Sequence, residues 1–247
     1  MTDQEIDNRI KDIWNSNYSL PKWVKDRGYV YADPVKADVL ITGINPSYRE
    51  GTEDIKNANT HGPAKYNLDV EVWKQRNNRK WDNYWGPLRK MLVDESVNLM
   101  DKFDYLDLFH FREKNQCKLQ NEILKSESGK KFIADELNLT QHIIEEIIKP
   151  KLIIVKNKES WAYWGYLYEG KGWIWMGYEF EEIKDYACGK LCKIKGLLPK
   201  DRIAPEIKET CLIGTYVLFA KHINQYTPRN ERPTAQLLNE LLNKAIE

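Results

Sequence analysis

Four short apolar runs, each closing on a polar or turn-forming segment, constrain this chain more than any other feature. They are residues 38–42 before Gly43-Ile44-Asn45-Pro46-Ser47, 103–109 before 110–115, 152–155 before 156–160, and 215–220 before 221–230. Runs that stay apolar without alternating are buried on both faces, as parallel strands are. Parallel strands need long crossovers, and the intervening sequence carries helical spacing. Residues 81–93 show it, as do 134–148, where Leu137, Ile144 and Ile148 share a face. A closing helix starts at Pro233 with Leu238, Leu241 and Leu242 inward, and Asn157 or Ser160 is placed to cap a helix through Trp161 and Trp164. The expected fold class is α/β: a three-layer α/β/α sandwich around a central sheet of four mostly parallel strands. No repeat or linker divides the 247 residues, so one domain spanning 1–247 is expected. Residues 165–210 fit the alternation poorly and read as an elaborated hairpin and long loop inserted into that domain.

Charge and cysteine usage narrow the function classes. With 38 Lys and Arg against 37 Asp and Glu, the formal charge is +1, which excludes a binder driven by a basic tail. A local basic groove stays open, with residues 74–80 and 190–195 as candidate runs. Cys117, Cys188, Cys192 and Cys211 are too scattered for a disulfide scaffold and lack a paired metal-binding spacing. No metal, cluster or other cofactor is therefore expected. The first residues carry no basic and apolar leader, and no apolar run approaches the ~20 residues of a membrane span. The expected address is a reducing cytoplasm, with no membrane partner. Asp104 and Asp107 lie three apart on a strand, hence on opposite faces, which argues against a paired-carboxylate acid and base.

In a parallel sheet the ligand sits beyond the carboxyl ends of the strands, so the four loops converge on one crevice. Gly43 lets backbone approach a ligand closely, and Pro46 biases Asn45 toward an extended conformation. Asn45 then presents a neutral amide, suited to holding a water or a carbonyl rather than abstracting a proton. Tyr48 offers a planar ring, and His61, between Thr60 and Gly62, reads as a surface residue. His222, directly after the last strand, can donate to an oxygen that gains negative charge. Arg229 and Arg232, beside a helix start, suit phosphate. Each has a plain alternative: an Asn-Pro turn without chemistry, and a backbone-bonded His on a solvated loop.

Together, the Gly-x-Asn-Pro-Ser string at 43–47 and His222 with Pro228-Arg229-Asn230 resemble the first and last motifs of the uracil-DNA glycosylase superfamily. The likeness is to its mismatch-specific and single-strand-selective monofunctional branches, and it covers the two ends of the chain. The resemblance implies the three-layer fold named above, and DNA base-excision repair by hydrolysis of the N-glycosidic bond of uracil or a related damaged base. It implies that Asn45 positions the attacking water and that His222 hydrogen-bonds the uracil oxygen and stabilises the departing base anion. Gly43, Ile44, Pro46, Tyr48, Phe109 (as aromatic floor) and Asn157 (as a base-reading amide) would bind the base. Ser47, Thr227, Pro228, Arg229 and Asn230 would contact uracil-containing or damaged DNA, the last loop holding the gap left by a flipped nucleotide. Three departures keep a second reading open, in which the same crevice binds a nucleobase, nucleotide or nucleic-acid end without glycosidic chemistry. Ile223-Asn224-Gln225-Tyr226 lengthens the last motif; residues 108–111 lack the Asn that many family members use to read uracil, with His110 or Asn115 as candidate substitutes; and the net charge is only +1, where a duplex binder usually carries a basic stripe.

Overall fold

A computed structural model describes residues 1–48, 60–62, 85–167 and 172–246. Its helices are α1 (Asp3–Asn15), α2 (Lys22–Arg27), α3 (Trp85–Leu92), α4 (Gln116–Lys118), α5 (Glu127–His142), α6 (Trp161–Trp164) and α7 (Ala235–Ile246). Its strands are β1 (Val30–Ala32), β2 (Val39–Gly43), β3 (Thr60–Gly62), β4 (Phe103–Asp107), β5 (Leu152–Val155), β6 (Tyr178–Tyr186), β7 (Gly189–Leu197) and β8 (Tyr216–Ala220). β1 and β3 form a small parallel pair, and the other six make one sheet in the order β4-β2-β5-β8-β7-β6.

The four apolar runs become β4, β2, β5 and β8, all parallel. Alternate residues of each strand enter different cores. Leu40, Ile153, Val217 and Phe219 face a layer built on Ile6, Ile10 and Ile13 of α1 and Phe132, Ile133 and Leu137 of α5. Val39, Ile41, Ile154 and Leu218 face Leu88, Met91 and Leu92 of α3 and Leu238, Leu241 and Leu242 of α7. Helices thus cover both faces, which is why the strands read as continuous apolar runs.

The sheet has six strands, not the four expected. The additional pair comes from the segment that resisted the strand-helix pattern: β6 and β7 form an antiparallel hairpin, and β7 adds antiparallel to β8. β7 buries Leu191, Cys192 and Ile194, whereas edge strand β6 exposes Glu179, Glu181, Glu182, Lys184 and Asp185. Charges along an outer strand discourage further pairing. Glu145 fastens this addition to the body: its carboxylate accepts from Tyr178 Oη at 2.8 Å, Thr210 Oγ1 at 2.6 Å and the Cys211 N–H at 2.9 Å.

Local chemistry moved several boundaries. α5 begins at Glu127 because the Ser126 hydroxyl accepts the Gly129 N–H. It continues as a π-helical turn over Ile143–Ile148 and stops at Lys149, whose φ is 49°. Thr234 Oγ1 accepts the Leu237 N–H at the start of α7. The expected helix over 81–93 is seen from Trp85 onward, and its first residues lie outside the described ones. Among the described residues no helix is long and apolar enough to cross a membrane.

Candidate active site

Four strand ends define the carboxyl edge of the sheet. Gly43 lies opposite Asp107, Thr42 opposite Val155, and Val155 opposite Phe219. Adjacent strands are about 4.8 Å apart, so side chains just past β2, β5 and β8 emerge as neighbours.

Asn157 and His222 meet there, with Asn157 Nδ2 3.0 Å from His222 Nδ1. Asn157 makes no capping hydrogen bond to the following helical turn, so its helix-cap reading fails. Ser160 makes none either; its hydroxyl donates to the Asn157 carbonyl at 2.6 Å. With the amide donating to Nδ1, the imidazole carries its proton on Nε2. Partial burial pushes the His222 pKa down and the Lys156 charge adds to it, against the opposing pull of Glu159. A neutral ring with Nε2–H as donor results. Asn157 is 8% exposed, and its Oδ1 has no hydrogen-bond partner among the described residues. An unpaired amide oxygen and an imidazole N–H are the acceptor and donor types that a lactam edge, with N–H and C=O side by side, would take.

Asn45 is positioned differently from the sequence expectation. It is 9% exposed, and Nδ2 donates to the carbonyls of Glu113 at 2.6 Å and Pro46 at 3.0 Å. Its Oδ1 accepts from Gln116 Nε2 at 2.6 Å. The amide therefore pins the loop after β2 to the loop after β4. The Glu113 carboxylate anchors this junction through Arg27 and through Lys118 at 3.1 Å. Burial works against its charge, but the Asn115 N–H, Arg27 and Lys118 outweigh it and hold the carboxyl below its ordinary range. The Arg27 guanidinium lies 4.2 Å from the Tyr48 ring centre, so Tyr48 is part of the same junction.

Gly43 is required by space. A Cβ there would lie 2.0 Å from Asp107 Oδ1 and 2.3 Å from Tyr105 Oη. Tyr105 Oη donates to Asp107 Oδ1 at 2.8 Å. Lys156, the residue after β5, is buried, and its N–H extends the ladder to the Thr42 carbonyl at 3.3 Å. Burial raises the Asp107 pKa and depresses that of Lys156 to about 8, while each charge favours the ionised form of the other. Asp104 lies on the opposite face, as strand alternation predicts, and accepts the Val35 N–H at 2.8 Å. By sequence alone, Asp107 is weighed only as half of a carboxylate pair with Asp104 and Lys156 is not singled out, although a lysine directly after an apolar strand is a visible signal.

Other expected site residues separate. Phe109 is fully buried, stacked on Phe111 with centroids 5.5 Å apart and edge-on to Tyr163 at 4.9 Å. Its ring is committed to the core and offers no floor for a base in this conformation. Ile44 joins the same core, while Pro46 is partly buried and Ser47 exposed. In the last loop, Thr227 Oγ1 donates to the His222 carbonyl at 2.6 Å, and Arg232 donates to the carbonyls of Thr227 at 2.7 Å and Gln225 at 2.9 Å. Thr227 and Arg232 thus build the loop, and they hold Pro228, Arg229 and Asn230 exposed at its surface. Tyr226, part of the lengthened motif, is 82% exposed beside them.

The basic run at 190–195 forms no groove at the candidate site. It lies on β7, where Lys190 pairs with Glu182 at 2.8 Å and Asp185 at 3.3 Å, and Lys195 lies 3.7 Å from Glu179. The run at 74–80 and the side chain of His61 lie outside the described residues. A cleft of about 480 Å³ lined by Lys149, Lys151, Lys193 and Lys244 opens at the amino ends of β5 and β8, away from the candidate site. The four cysteines are free, and among the described residues no three His, Cys, Asp or Glu are grouped to hold a metal.

The chain matches no family model, no curated protein and no solved structure.

Proposed function

We propose that this crevice binds an extruded uracil or related lactam base and hydrolyses its N-glycosidic bond in DNA. The observation that carries the reading is the Asn157–His222 pair, with one buried acceptor unpaired and one imidazole N–H directed by its partner. Asn157 Oδ1 would accept the base N3–H, and His222 Nε2–H would donate to the adjacent carbonyl. As the glycosidic bond breaks, negative charge spreads onto that carbonyl, so the same donor bonds more strongly in the transition state than in the ground state. The exposed loop at 226–230 supports the reading by offering an aromatic side chain to the gap that flipping leaves.

Uracil-containing single- and double-stranded oligonucleotides, incubated with the protein and then cleaved with alkali, test it. Strand breaks at the uracil position, lost with His222→Ala, are expected. Intact oligonucleotides at high protein concentration would remove the enzyme reading. The engaged amide of Asn45 favours the second reading, a crevice that binds a nucleobase without cutting. Uracil binding by calorimetry without cleavage would select it.

A further inference from the structure

Hydrolysis at C1′ ends with the attacking water losing a proton, and a positioned base speeds that transfer. Asn45 is poorly placed to organise that water, because its amide hydrogens go to two carbonyls and its oxygen is taken by Gln116. The geometry points to Asp107 as the general base of the hydrolysis proposed above, a role that rests on that proposal.

Asp107 is the last residue of β4 and the one position of that strand that is not fully buried. Its partner across the ladder is Gly43, and the missing side chain there lets the carboxylate lie over the end of β2. Tyr105 holds Oδ1 at 2.8 Å, while Oδ2 accepts no hydrogen bond from a described residue. Lys156 follows Val155 and so occupies the same row on the other side of Gly43; its charge acts on both Asp107 and His222. One buried cation therefore favours the carboxylate form of the base and the neutral form of the leaving-group donor. His110 also faces Asp107 electrostatically and acts in the same direction as Lys156 and Tyr105, against burial. Burial raises the proton affinity of the carboxylate, as a general base near neutral pH needs.

The step balances without a cofactor. The C1′–N bond breaks and its electron pair leaves with the base, whose carbonyl is hydrogen-bonded by His222. The water oxygen bonds to C1′ and its proton passes to Asp107, which releases it to solvent. The products are the free base and an abasic sugar bearing a C1′ hydroxyl.

The test is single-turnover cleavage of a uracil oligonucleotide by the full chain across acidic to alkaline pH. Wild type is compared with Asp107→Asn, Asp107→Ala, Tyr105→Phe and Asn45→Ala, and thermal melting verifies the fold of each. Asp107→Asn is expected to lose on the order of 10²–10⁴-fold in rate and to flatten the acid limb of the profile. Formate is expected to restore part of the rate of Asp107→Ala, which a structural role would not allow. Tyr105→Phe is expected to move the acid limb to higher pH, because the lost hydrogen bond stabilised the carboxylate. Asp107 variants that cleave at the wild-type rate with the acid limb intact, while His222→Ala is inactive, would overturn the base assignment and leave the glycosylase reading standing. A wild-type protein inert on every uracil substrate would overturn both.

Discussion

A neutral imidazole is useful at a departing base only while it stays neutral, and burial and two neighbouring charges bear on His222. Burial and Lys156 oppose its protonation more than Glu159 favours it. Lys156→Met is therefore expected to raise the His222 pKa toward its ordinary value of about 6.5, read from the imidazole proton resonances in an NMR titration. The sign for stability follows. The folded state binds this proton less readily than the unfolded chain, so the His222 contribution is present above the ordinary pKa and is lost as pH falls through the depressed one. For catalysis, His222→Ala is expected to lower kcat by ~10²–10³ with DNA affinity nearly unchanged. Equal losses in rate and affinity would contradict leaving-group stabilisation. At Gly43 the constraint is steric: Gly43→Ala sets a methyl against Asp107 and Tyr105. A loss of about 1–3 kcal/mol in denaturant unfolding is expected.

Among the elements, the β6–β7 hairpin is attached by the ladder of β7 with β8 and is further tied to the body by one buried carboxylate. Removing the Glu145 side chain leaves the buried Tyr178 hydroxyl without its acceptor. Glu145→Ala is expected to cost about 1–3 kcal/mol, the cost of one abandoned buried donor. Hydrogen exchange would show the loss concentrated in β6 and the strand beside it. The last loop behaves oppositely. Its scaffold is internal, from Asn224, Thr227 and Arg232, so its exposed residues can change without loss of fold. Tyr226→Ala is expected to leave the melting temperature unchanged and to weaken binding to uracil-containing duplex more than to single strand, measured by fluorescence anisotropy. Equal weakening on both substrates would show that Tyr226 stacks on bases without filling a gap.

Over the whole molecule, the parallel strands and their two helical layers were legible because burial on both faces leaves a composition that no exposed segment shares. Their loops were legible as convergent for the same reason, since a parallel sheet has one carboxyl edge. The hairpin was only partly legible: β6 is mostly charged, and its place beside β7 is set by backbone pairing rather than by apolar pattern. The roles at the carboxyl edge were legible only in part. The resemblance named His222 and Asn157 for the base and Phe109 as its floor, while the local pattern read Asn157 or Ser160 as a cap and Asn45 as a free amide. Tertiary contacts gave Asn157 an imidazole partner, gave Asn45 two carbonyls and Gln116, and sealed Phe109 against Phe111. Periodicity therefore sufficed for which segments are strands and helices and for which end of the sheet collects the polar loops, because burial repeats with the backbone. Which polar atoms remain unpaired there depends on partners 65 to 71 residues away in the chain, and such pairings have no period to read.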